Sequence, residues 1–365
     1  MKIAILGTRG IPNYYSGFEQ FAEFFSVFIA KKGHEVWVYN SHNHRYQEKT
    51  FKGVNIIHQF DPEYKLGTFG QFIYDLNCII DSRKRNFDII LQLGYTSNTI
   101  WHRLLPKGPI IISNMDGLEW KRSKYSPLVR KFLKYAEKLA VKSSDYLVSD
   151  SIGIQNYILN EYQAKSQFIA YGAELFETPN LDMLQQYDVE EYNYNMLVAR
   201  FEPENNLEMI LDGVALCKDK TVFLVVGRHD ANKFGAFLKN KYKSNSNIRF
   251  LGGIFNLEHL NNLRYFSKLY FHGHSVGGTN PSLLEAMASK ALIIANNNEF
   301  SKSILGEDAF YFSTKEDVKT HLENVKKTYN KDKIDNCYFK IENEYMWEVI
   351  NNKYLDFFYD CIKKN

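Results

Sequence analysis

His272-Gly273-His274-Ser275-Val276-Gly277-Gly278-Thr279-Asn280-Pro281-Ser282-Leu283-Leu284-Glu285-Ala286-Met287-Ala288 is the stretch on which the reading of this chain turns. The apolar run 269–271 before it is a strand, the glycines make a loop, and a helix starts near Pro281 with a carboxylate on its second turn. A helix N-terminus presents unpaired N–H groups and the positive end of its dipole, so the pattern suits a diphosphate held by backbone amides. Glu285 would then reach back to the hydroxyls of a ribose. A purely structural turn explains the glycines but leaves Glu285 on an apolar helix face without a reason.

On both sides of this stretch, apolar runs alternate with helix-period segments in a βαβα rhythm, the pattern of parallel sheets covered on both faces. Strands are expected at 3–6, 36–39, 54–58, 89–93, 110–113, 146–149 and 168–170, with helices at 18–32, 70–83 and 127–142. A second series follows, with strands at 196–199, 222–226, 248–251, 269–271, 291–295 and 309–312 and helices between them. The polar stretch 171–195 has little apolar periodicity and suits a linker. Two Rossmann-like domains result, 1–175 and 176–340, as expected for 365 residues, more than one core usually serves. The segment 341–365 carries Trp347, Tyr354, Leu355 and Phe358, too apolar for a free tail, and is expected to form one or two helices, with the first domain as one packing partner.

The net charge of +3 is uneven: residues 1–170 hold 22 Lys and Arg against 15 Asp and Glu, and the rest hold 23 against 27. Arg130, Lys131, Lys134, Lys138 and Lys142, interleaved with Leu128, Phe132, Leu133, Tyr135 and Leu139, give a basic amphipathic helix. Two readings stand: a face for anionic lipid headgroups or a phosphorylated acceptor, and an ordinary solvated face. No recognition motif for nucleic acid accompanies the charge. No apolar run approaches the ~20 residues of a membrane span, and the first residues read as a buried strand rather than a signal peptide. Cys78, Cys217, Cys337 and Cys361 are widely spaced, which suits a reducing cytoplasm and disfavours disulfides and zinc. His42-Asn43-His44 reads as a solvated loop, because no third ligand stands nearby in sequence.

Three further stretches carry candidate chemistry. Gly7-Thr8-Arg9-Gly10-Ile11-Pro12-Asn13-Tyr14-Tyr15-Ser16-Gly17-Phe18-Glu19 follows a strand and opens a helix, either to approach a phosphate or sugar or simply to turn the chain. Its spacing is not Gly-x-Gly-x-x-Gly, which disfavours an oxidoreductase of the usual dinucleotide kind. Val198-Ala199-Arg200-Phe201-Glu202-Pro203-Glu204-Asn205 offers Arg200 to phosphate oxygens, or to an interdomain salt bridge. Ser113-Asn114-Met115-Asp116-Gly117-Leu118-Glu119-Trp120-Lys121-Arg122 ends a strand with an ionisable, aromatic loop, where Asp116 is either a catalytic group or a turn residue. Asp150 is read either as a cleft residue or as the cap of the helix after it, with the cap preferred.

The loop 272–288 resembles the donor-binding motif of retaining glycosyltransferase family 4. The resemblance implies a GT-B fold, α/β with two Rossmann-like domains whose parallel sheets face an interdomain cleft, and nearly the whole chain follows that plan. The family's Glu-x7-Glu has its second Glu at Glu285 and its first at Gly277, and the family's basic pair has Arg at Arg200 but Asn205 in place of Lys, which leaves Arg9 or Arg228 as helpers. Together with Gly-Thr-Arg-Gly-Ile-Pro, the loop at 113–122 is similar to those of bacterial β-1,4-rhamnosyltransferases of polysaccharide assembly. The resemblance implies donor contacts from Gly17, Arg200, Gly253, Ile254, His274, Gly277, Gly278, Thr279, Asn280, Ser282 and Glu285. It implies acceptor contacts from Asp116, Glu119, Trp120 and Arg122, with Asp116 and Arg200 as the catalytic pair. The expected co-substrate is a nucleotide-diphosphate sugar, dTDP-L-rhamnose first, without metal or other cofactor. The expected acceptor is a lipid-linked saccharide at the inner face of the cell membrane, in capsule, O-antigen or cell-wall synthesis. Transfer of another hexose from a UDP-sugar, a nucleotide-sugar 2-epimerase and an inactive nucleotide-sugar-binding subunit are the alternatives.

Overall fold

Residues 1–14, 17–115, 117–122 and 125–365 are described by a computed structural model. The chain divides into two compact units. One comprises Met1–Trp120, Tyr125–Gly172 and Trp347–Asn365; the other comprises Ala173–Met346 and the short stretch that holds Lys121 and Arg122.

The first unit contains β1 (Lys2–Leu6), β2 (Glu35–Ser41), β3 (Thr50–Phe51), β4 (Val54–Gln59), β5 (Ile89–Leu93), β6 (Ile110–Asn114), β7 (Tyr146–Ser149) and β8 (Gln167–Phe168). They form one sheet in the order β3-β4-β2-β1-β5-β6-β7-β8, parallel throughout except where β3 folds back on β4. That hairpin escapes a reading by periodicity because it is two residues long; Lys52 and Gly53 turn it with φ of 46° and 88°. Ile3, Ala4 and Ile5 are wholly buried, as a strand covered on both faces requires. The strand order reverses beside β1, so the carboxyl ends of β1 and β5 flank a natural crevice.

The helix Trp347–Lys364 belongs to this first unit and packs on the helix Gly17–Lys31. Trp347 stacks on Phe24 with centroids 4.6 Å apart, and Tyr354 meets Phe21 at 4.7 Å. A Cβ at Gly172 would lie 2.5 Å from the Trp347 ring, so glycine is required where the chain passes under it.

In the second unit, β9 (Tyr194–Val198), β10 (Val222–Val226), β11 (Ile248–Gly252), β12 (Leu269–His272), β13 (Ile293–Asn296) and β14 (Phe310–Phe312) form a parallel sheet ordered β11-β10-β9-β12-β13-β14. One of its cores gathers Phe201, Leu211, Phe223, Phe271 and Phe312. The stretch read as a linker contains a short 3-10 helix, Leu181–Tyr187, anchored by buried Leu184 and by a hydrogen bond from the Asn180 amide to Asn262 Oδ1 (2.7 Å). Asp150 is not the cap of the helix that follows it. Ser151 is, its hydroxyl accepting from the Ile154 amide, because Ser151 holds the extended backbone a cap needs. His44 is buried rather than solvated, with Nε2 3.1 Å from the Pro12 carbonyl. All four cysteines are buried free thiols, and no helix among the described residues is long and apolar enough to cross a membrane.

Candidate functional site

β9 and β12 are neighbours where the second sheet reverses its strand order, and the loops leaving their carboxyl ends are locked together. Asn205 Nδ2 donates to the Arg200 carbonyl (2.8 Å), and Asn206 Nδ2 donates to the Gly273 carbonyl (2.8 Å). Ser275 gives both its amide and its hydroxyl to the Glu204 carbonyl, at 3.0 and 2.7 Å. A Cβ at position 273 would come within 2.1 Å of the Asn205 carbonyl oxygen, so this approach demands glycine. Asn205 therefore shapes the Arg200 turn instead of adding charge.

Arg200 is exposed, and its field reaches His274. Burial pushes His274 well below the ordinary histidine range, and His272, Arg200 and Arg122 push it the same way, so the ring is neutral near pH 7. His272 stacks on it with centroids 4.5 Å apart and is itself lowered to about 3 by burial and by Arg264. Arg122, read from the sequence as an acceptor contact, stands in the second unit with its NH1 3.9 Å from Glu204 Oε1, both side chains largely buried. Of the helpers proposed for the missing Lys, Arg228 pairs loosely with Asp230 at 3.6 Å, and Arg9 is held elsewhere by Glu63.

Gly277 has φ of +137°, a conformation side chains rarely adopt, with open space where a Cβ would be. A Glu here would be strained by the backbone, which is a physical reason for its absence. Among the described residues, the amides of Gly277 and Gly278 have no acceptor in the chain. Thr279 is buried, and Asn280 caps the helix Pro281–Ala288 by accepting from the Ser282 amide (3.0 Å).

Glu285 does not stand alone on that helix. Arg264 NH2 lies 2.7 Å from Glu285 Oε2, and the Arg264 side chain is 1% exposed against 18% for Glu285. The same guanidinium donates to Asn261 Oδ1 (2.9 Å) and to Ser282 Oγ (3.2 Å), and Ser282 Oγ meets the buried Tyr270 hydroxyl at 2.8 Å. A buried arginine demands such a partner, so Arg264 fixes the carboxylate while part of Glu285 stays accessible. Ser282 is committed to this network. Gly253 and Ile254 follow β11, where a Cβ on Gly253 would touch Arg228 at 3.0 Å and the Phe255 ring at 3.1 Å.

In the first unit the glycine loop is already occupied by the chain's own carboxylate. Glu19 Oε1 accepts from the Arg9 amide (2.9 Å) and from Thr8 Oγ1 (3.3 Å), where an anionic ligand would otherwise bind. Gly17 opens the helix, and its carbonyl accepts from the Tyr171 hydroxyl (2.6 Å). A cavity of about 460 Å³ lies wholly within this unit, at the carboxyl ends of β1 and β5. Glu119 lines it, as does Asp75, which sequence reasoning missed. Asp75 accepts from Ser97 Oγ, and its carboxyl is raised to about 7 by burial first, with Asp61 and Glu63 adding to the rise. Trp120 packs with Tyr157 (6.2 Å) and under Lys134 Nζ (4.7 Å). Asp116 lies outside the described residues.

Two open parallel sheets with their sites at the strand carboxyl ends form the GT-B fold of glycosyltransferases. The chain superposes on sucrose-phosphate synthase from Thermosynechococcus elongatus with a TM-score of 0.80 at 14% identity, covering 100% of both chains. It matches Anabaena HepE in complex with UDP and glucose at 0.74 and 15%, covering 99% of this chain and 100% of that one. It matches WaaG, a glycosyltransferase involved in lipopolysaccharide biosynthesis, at 0.70 and 14%, covering 96% and 98%. Residues 183–338 match the family model of glycosyl transferases group 1. Residues 1–174 match a domain of unknown function, DUF1972. Comparison with curated proteins gave no match.

Proposed function

We propose that the chain is a retaining glycosyltransferase of family 4 character that transfers a sugar, L-rhamnose from dTDP-L-rhamnose as first candidate, to a lipid-diphosphate-linked saccharide. The carrying observation is the second-unit site. There the loop of an exposed Arg200 and the glycine loop through Gly277 and Gly278 leave neighbouring strands at the reversal of strand order and are hydrogen-bonded to each other, and Glu285, held by buried Arg264, lies on the helix that follows. In this reading Glu285 takes the ribose hydroxyls, and Arg200 with the loop amides takes the diphosphate. Arg122 adds the second positive charge that Asn205 does not supply. Neutral His274 is suited to a hydroxyl of the donor sugar.

The bond from the sugar's anomeric carbon to the diphosphate oxygen breaks as the acceptor hydroxyl oxygen bonds to the same face of that carbon. The hydroxyl proton passes to the departing diphosphate, with Asp116 aligning the nucleophile. Stabilising the developing diphosphate charge is the largest contribution of the protein, and no metal is needed where arginines and amides supply it. The basic helix Pro127–Ser143, with Lys131, Lys138 and Lys142 exposed beside Leu128 and Tyr135, supports peripheral docking on the anionic inner leaflet.

A panel of dTDP- and UDP-sugars offered with a short lipid-diphosphate-linked glucose or N-acetylglucosamine tests the assignment. One donor is expected to be consumed only when the acceptor is present. Consumption of donor without acceptor would instead identify an epimerase.

A further inference from the structure

In the proposed reading the second unit holds the nucleotide, and the cavity of the first unit has a chemically lopsided lining. Its volume of about 460 Å³ falls within the range of ~300–1,000 Å³ usual for small-molecule sites. Aromatic side chains form much of the wall: Phe18, Phe69, Phe72, Tyr95 and Phe132 are among them, with Phe72 and Phe132 5.7 Å apart. Such rings offer flat apolar faces to the C–H side of a pyranose. The polar part of the lining consists mainly of hydrogen-bonding groups suited to hydroxyls, including Ser97, Asn98 and Gln71.

The ionisable groups lean one way. Glu19, Asp61, Glu63, Asp75 and Glu119 line the cavity, against Arg9 as the sole cation among the described lining residues. Arg9 offsets one of these charges, since Nε and NH2 form a two-pronged pair with Glu63 at 2.9 and 2.7 Å, and the described lining stays acidic in sum. Gln71 holds the same Glu63 carboxylate (2.9 Å), and the Glu63 amide donates to Asp61 Oδ1 (2.9 Å). The cavity also carries its own probe of this field. Asp75 is opposed in ionising by burial first and also by Asp61 and Glu63, against the pull of the Ser97 hydroxyl and of Arg9, and an entering carboxylate or phosphate would meet the same burial and the same two carboxylates.

We propose that this cavity seats an uncharged saccharide and rejects its carboxylate- or phosphate-bearing counterparts, with Asp61 and Glu63 as the selecting groups and the aromatic walls as the sugar platform. The proposal rests on the transferase reading, in which the first unit receives the acceptor, and it names the class of sugar received. For a lipid-diphosphate-linked acceptor, the neutral sugar enters and the diphosphate stays outside.

Ligand-observed NMR and calorimetry on the full chain, without nucleotide, test this with glucose, N-acetylglucosamine, glucuronate and glucose 6-phosphate. The neutral sugars are expected to bind at least about tenfold more tightly than the anionic ones, the effect of ~1.4 kcal/mol of charge repulsion. Glu63→Gln, which also releases Arg9, is expected to shrink that ratio to about threefold or less, while Phe69→Ala at an exposed wall position weakens the neutral sugars alike. UDP or dTDP binding serves as the control and should not change in either variant. Equal or tighter binding of glucuronate by the wild type, or an unchanged ratio in Glu63→Gln, would overturn the selection. Absence of any sugar binding by a chain that still binds nucleotide would overturn the site. Sugar binding with the expected ratio, but no transfer from any donor, would remove the transferase reading and leave the cavity's selectivity standing.

Discussion

At the scale of single residues, Arg264 and Asp75 carry more of the site's physics than their sequence neighbourhoods disclose. Arg264 sits between Leu263 and Tyr265 and reads as one more helix cation; only its 0% exposure shows that Glu285 must neutralise it. Arg264→Met is expected to cost about 3–5 kcal/mol, because a buried partner is removed and Glu285 is left uncompensated. Thermal melts read the loss. Adding Glu285→Leu to that variant should restore part of the stability but none of the nucleotide affinity, whereas recovered affinity would take Glu285 out of the donor site. Asp75 gives a prediction with a sign. Its carboxyl rises from an ordinary 3.8 to about 7 in the fold, so between these values the folded chain keeps a proton that the unfolded chain has lost. Stability therefore falls as pH rises through that window and levels off above it, by at most about 4 kcal/mol. In Asp75→Asn the stability lost between pH 4 and 7 should be smaller by up to about this amount in denaturant titrations; an unchanged loss would mean that Asp75 ionises freely in the fold.

Among the elements, the strands and the helix after the glycine loop were legible because their signals are local. Val222–Val226 is a continuous apolar run and Ile89–Leu93 is apolar but for Gln92, and Asn280-Pro281 marks a helix start with a capping side chain and a fixed φ. What stayed hidden depends on distant partners. Glu19 filling its own loop, Arg9 captured by Glu63, and Arg122 beside Glu204 join residues whose proximity no spacing rule foretells. The basic helix Pro127–Ser143 illustrates both cases. Its amphipathic pattern is plain in the sequence, yet Lys134 proves to be a network member, bound to Glu137 (3.2 Å) and Glu161 (3.0 Å). A fair test of membrane docking therefore changes Lys131, Lys138 and Lys142 to Gln and spares Lys134. Each exposed lysine near an anionic surface contributes about 1 kcal/mol, so binding to phosphatidylglycerol vesicles should drop about a hundredfold. Unaltered vesicle binding would assign the charges to solvent alone.

At the scale of the whole molecule, each unit carries its candidate site where its sheet reverses strand order. The first unit offers an acidic, aromatic cavity at β1 and β5, and the second offers an arginine and a glycine loop at β9 and β12. Opposite charge preferences suit two substrates, one neutral at its reacting end and one anionic. The glycine loop on which the second unit's proposed anion site rests is legible in the sequence, whereas the acidity of the first unit's cavity emerged only from folding, since its carboxylates are scattered from Glu19 to Glu119. The decisive measurement is sugar transfer by wild type and Arg200→Ala, run side by side with the productive nucleotide sugar and a lipid-diphosphate-linked acceptor. Arg200 is exposed, so its loss should leave the melting temperature within about 2 °C while lowering turnover roughly 100-fold or more. Near-normal transfer by Arg200→Ala, or no transfer by the wild type from any donor, would contradict a diphosphate held at this site.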